Sequence, residues 1–77
     1  MNVKEKLKEI GVEFRRDELT GGYNLYYKYR WLGGKSFGAT TTSWWCEICC
    51  EYWHDESEDA EEYFLEHILQ HFLKGDV

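Results

Sequence analysis

Two thiols, Cys46 and Cys49, are followed by two imidazoles, His67 and His71. No other feature of the chain limits its fold so tightly. A Cys-x2-Cys spacing lets a tight turn aim both sulfurs at one point, and histidines four apart project from the same side of a helix. One ion drawing on all four would tie a strand end to a helix. A chain of 77 residues needs such a tie. A domain this short buries only about 60% of its unfolded surface, and a metal, disulfides or a partner chain must supply the rest.

Disulfides are the weaker choice, because the three cysteines cannot close a framework. Residues 1–6 lack the apolar segment of a secretory signal, and no apolar run approaches the roughly 20 residues that span a bilayer. The expectation is a cytoplasmic or otherwise intracellular chain without membrane contact, where thiols stay reduced and favour metal. With 43% hydrophobic and 18% aromatic residues, the composition is that of one folded domain over residues 1–77 rather than a disordered chain.

The expected fold class is α+β. Residues 3–10 fit a short helix with Val3, Leu7 and Ile10 on one side, Asn2 as its cap and Gly11 as its stop. Three antiparallel strands follow, at 12–19, 23–32 and 36–45, with turns at Thr20-Gly21-Gly22 and Gly33-Gly34. Read as one strand, 23–32 places Tyr23, Leu25, Tyr27, Tyr29 and Trp31 on an aromatic face, and Tyr26, Lys28 and Arg30 on a largely basic one. The metal knuckle comes next, in the compact stretch 46–54, whose pattern fits neither helix nor strand clearly. An acidic loop at 55–59 leads into a helix over 59–74, capped by Ser57 or Asp59 and ended by Gly75. That helix buries Phe64, Leu65, Ile68, Leu69 and Phe72 and wets Glu62, Glu66 and Gln70, with His67 and His71 flanking the apolar side.

The residues Cys46-x2-Cys49 and His67-x3-His71, with Trp44 before the knuckle, resemble the two-cysteine, two-histidine zinc finger over about residues 36–74. The resemblance implies a structural zinc held by those four side chains. It departs from the family in the 17 residues between Cys49 and His67, where about 12 are usual. Cys50 and His54 stand as alternative ligands; otherwise Cys50 is expected as a small buried residue and His54 at the surface. Four good ligands leave no open coordination position, so catalysis is not expected. The pairing of Cys50 with His54 as a nucleophile lacks any sign of a substrate pocket.

The resemblance also implies nucleic-acid binding, but not through the helix, whose outer face offers Glu62, Glu66 and Gln70 where base readers need Arg, Lys, Asn or Gln. Charge is divided along the chain. Residues 1–38 hold eight Lys/Arg and five Asp/Glu, and residues 39–77 hold one Lys and ten Asp/Glu. Nucleic acid would therefore meet the sheet, through Arg15, Tyr26, Lys28 and Arg30. The alternative is a zinc-stabilised protein-interaction module without nucleic-acid contact. In that reading a partner or a second copy covers exposed rings among Trp44, Trp45, Tyr52 and Trp53, or a basic partner meets the acidic helix.

Overall fold

The computed structural model describes residues 2–38 and 41–77. It contains helix α1 (Val3–Ile10), strands β1 (Glu13–Arg16), β2 (Tyr23–Tyr27), β3 (Arg30–Phe37), β4 (Thr42–Cys46) and β5 (Glu51–His54), and helix α2 (Ala60–Lys74). Among the described residues five strands, not three, form one antiparallel sheet in the order β1-β2-β3-β4-β5. The expected third strand, 36–45, spans Ala39 and Thr40, which lie outside the described residues.

Both helices follow local sequence signals. The Asn2 side chain accepts the Glu5 amide at 2.9 Å and Gly11 closes α1. Helix α2 starts after Asp59, which makes no side-chain capping bond, and is closed by Gly75. Leu7 of α1 and Phe64, Leu65 and Ile68 of α2 are buried with Leu25, Leu32, Trp44 and Cys46 of the sheet. Alternate strand residues supply that core, so the helices share one face of the sheet and the other face is open. Of the residues expected to share one side of α1, Leu7 is buried and Ile10 is exposed.

The segment 23–32 is a hairpin rather than a strand. Lys28 and Tyr29 have φ of 48° and 69°, and the closing pair is Tyr27 with Arg30. This is the two-residue turn whose backbone matches strand twist, built without the Asn-Gly that usually announces it. The turn breaks the period-two parity. Arg30 shares the helix-side face of Tyr27, while Trp31 pairs with Tyr26 on the open face and Tyr29 stands fully exposed at the tip. Leu32 is the extra residue of a bulge between the Tyr26–Trp31 and Leu25–Gly33 pairs, and it is buried. Replacing Lys28 by Asn together with Tyr29 by Gly is expected to stabilise the domain by about 1 kcal/mol, net of the lost Lys28–Tyr27 ring contact. The check is a higher urea midpoint at unchanged slope.

Gly33 and Gly34 do not turn the chain. They sit inside β3, where neighbouring backbones come too close for a side chain. A Cβ on Gly33 would lie 2.1 Å from the Trp45 carbonyl oxygen, and one on Gly34 would lie 2.5 Å from the Tyr23 carbonyl oxygen. Gly33 also has φ of 134°, open to glycine and strained for other residues. It pairs with Cys46 and lets β3 press against the end of β4.

Candidate metal centre

Strand β4 carries Trp44 and Cys46 inward, and Cys46 is its last residue, fully buried. The chain then turns over residues 47–50, placing Cys49 at the rim, and returns as β5. Cys50 adopts φ of 61° in that turn and is exposed. The expectation of a buried Cys50 is therefore corrected: the left-handed residue that completes the turn swings its side chain out. His54 lies on the open face, with Nδ1 3.0 Å from Ser43 Oγ. Helix α2 supplies the other donors from above, His71 buried and His67 half-buried. The stretch between Cys49 and His67 is taken up by β5, the 55–59 loop and the first two turns of α2.

One donor atom from each of Cys46, Cys49, His67 and His71 lies within 4.8 Å of every other. Cys49 Sγ and His71 Nε2 each stand 3.3 Å from His67 Nε2. A tetrahedral ion with bonds of roughly 2.0–2.3 Å spaces its ligand atoms about 3.3–3.8 Å apart. The two short edges already have that length, and the widest separation, at most 4.8 Å, closes by about 1–1.5 Å. The four residues thus form a two-cysteine, two-histidine cluster fit to hold a metal ion.

The surrounding groups set the protonation states. Burial pushes the Cys46 thiol up to about 11, so an ion must displace its proton and uptake strengthens with rising pH. Burial, and then the nearby His71, pull His67 below the ordinary histidine value, keeping it neutral and ready to ligate.

Asp76 was not foreseen as part of the site. Its carboxylate Oδ2 lies 2.8 Å from His71 Nδ1. A carboxylate only accepts, so His71 holds its proton on Nδ1 and offers the Nε2 lone pair to the cluster. The helix end places Asp76 there: its amide donates to the His71 carbonyl at 2.9 Å while the Gly75 amide donates to Phe72. The signal was present in the order His71, Gly75, Asp76, since such a cap folds the residue after the glycine back over the last turn. Asp76→Ala is expected to weaken metal affinity 10–100-fold while the saturated protein stays folded. Competition against a chromophoric chelator measures it.

The residues expected to meet nucleic acid are brought together only in part. Arg15 lies over the Tyr26 ring at 4.5 Å, and Lys28 lines the same depression of about 350 Å³. Arg15 is also bonded through two nitrogens to Glu13, each at 3.0 Å. Arg30 is elsewhere, its Nη1 donating to the Asp76 carbonyl oxygen at 3.4 Å, because the Lys28–Tyr29 turn carried it to the helix side. Of the four rings among which some were expected at the surface, Trp44 is buried, Trp45 and Trp53 are half-buried and Tyr52 is exposed.

The chain matches no protein-family model, no curated protein and no solved structure. The fold and site define an α+β domain in which two cysteines and two histidines cluster with a geometry that could hold a metal ion. Among the described residues no helix is long and apolar enough to cross a membrane.

Proposed function

We propose that this is a small non-catalytic binding module whose fold is locked by one structural zinc ion. The observation that carries the reading is the convergence of Cys46, Cys49, His67 and His71. Two thiolates and two imidazoles in a tetrahedron suit zinc, and four protein ligands leave no position for substrate or water. Asp76 behind His71 supports a site built for an ion rather than a chance pairing of histidines. The test is native mass spectrometry of the zinc-loaded chain, followed by cobalt substitution. One ion per chain is expected, with the visible bands of tetrahedral cobalt and thiolate ligation, unchanged by added azide. Bands that shift with azide would mean an open coordination position and sink the non-catalytic reading.

Charge placement favours a protein partner. The helix and β5 side is acidic, and the open face pairs its Arg15 with Glu13. A second reading, single-stranded nucleic acid, draws on the Arg15–Tyr26 stack beside Lys28. It requires binding that weakens steeply with salt and is lost in Lys28→Glu. Binding indifferent to both would remove it.

A further inference from the structure

Strand β5 ends the sheet, with β4 on one side and, among the described residues, no strand on the other. The Asp55 amide donates to the Thr42 carbonyl at 3.2 Å, which fixes the alternation of the β4–β5 ladder. Glu51, Trp53 and Asp55 turn their backbone groups toward β4, so the N–H and C=O groups of Tyr52 and His54 point out of the sheet. Beside this rim runs a groove of about 570 Å³ lined by Glu51, Tyr52, Trp53, Asp55 and Tyr63. Tyr52 and Tyr63 are 55% and 57% exposed.

We propose that the β5 edge binds an extended basic peptide by adding it to the sheet as a sixth strand. The backbone of Tyr52 and His54 supplies the ladder bonds that an edge strand offers to any extended chain. Charge selects the occupant. Glu51 and Asp55 flank the groove, and the sequence from residue 39 onward holds ten carboxylates against one lysine. A strand laid along β5 directs alternate side chains to the helix side, where Glu51 stands. Lysine or arginine at every second position would set its cation between those carboxylates and the Tyr63 ring. The opposite edge differs, because β1 closes its own Glu13–Arg15 pair. The inference rests on the binding-module reading, and the two can fail separately: metal content tests the module and peptide binding tests the edge.

The experiment titrates the zinc-loaded full chain with a blocked eight-residue peptide of alternating threonine and lysine, followed by amide NMR and calorimetry. The Tyr52 and His54 amides are expected to shift and to exchange more slowly. In a paired strand only every second peptide amide faces β5. N-methylation of one alternate set should therefore weaken binding more than tenfold, while the other set leaves it intact. Glu51→Lys, checked for full zinc content, should weaken binding several-fold at low salt. Equal binding by both methylated peptides would show charge attraction without strand pairing and overturn the proposal. So would no binding at millimolar peptide, or a doubled mass with the same two amides protected in the absence of peptide, which would give the edge to a second copy.

Discussion

Stripping zinc from the loaded protein with a strong chelator is expected to unfold it, and His71→Ala is expected to prevent loading. Structural zinc binding in small finger peptides supplies about 10–16 kcal/mol at neutral pH, whereas a chain this long has a total stability of roughly 4–12 kcal/mol. Removing the ion therefore takes away about as much as the fold has to spare, or more. It also leaves the Cys46 thiol buried beside two imidazoles at the junction of β4 and α2. His71 is the sensitive position because it is both buried and fixed by Asp76; alanine there leaves three donors and a cavity. Acid should act in the same direction. The folded-state pKa of His67 is depressed below 6.5, so its contribution is present above that value and lost as pH falls through the lowered one. Circular dichroism and metal content followed together decide the matter. A metal-free chain that melts cooperatively at the loaded protein's temperature would refute the staple.

The parts of this fold that were legible in the sequence are those set by local chemistry. Asn2, Gly11 and Gly75 mark helix ends because caps act over three or four residues, and the apolar spacing of α2 marked its buried side. The convergence of Cys46, Cys49, His67 and His71 was legible because the Cys-x2-Cys spacing suits a tight turn and the His-x3-His spacing suits one side of a helix. What was misread depends on partners distant in sequence. Gly33 and Gly34 look like a turn, and only the approach of the β4 and β2 backbones reveals why glycine is there. The true turn, at Lys28 and Tyr29, carries neither glycine nor asparagine. That one substitution of turn for strand changed the strand count and moved Arg30 and Trp31 to opposite faces from those expected. Strand β5 has four residues and follows two cysteines, too short a run for alternation to register. Its existence depends on pairing with β4, which in turn depends on the knuckle.

Trp44→Ala is expected to cost about 3–5 kcal/mol, a large share of the domain's stability, without touching a metal ligand. Trp44 is 2% exposed, the largest of the fully buried side chains. Its ring packs on Phe64 of α2 at 5.2 Å between centroids, and its indole N–H donates to the Asp55 carbonyl at 2.8 Å. It therefore joins the sheet to the helix and to the loop before the helix, two residues from Cys46. Alanine would open a cavity between β4 and α2 and leave the Asp55 carbonyl without its partner. Trp44→Phe separates these effects: most of the ring remains, and the lost hydrogen bond alone should cost about 1–3 kcal/mol. Denaturant unfolding at several zinc concentrations distinguishes core from ligand damage. Trp44→Ala should still bind one zinc and regain stability as free zinc rises, because the ion binds the folded state selectively. His71→Ala should gain little over the same range. If Trp44→Ala is as stable as wild type, the sheet–helix core is not where the apolar stabilisation lies, and the metal alone would hold α2 to the sheet.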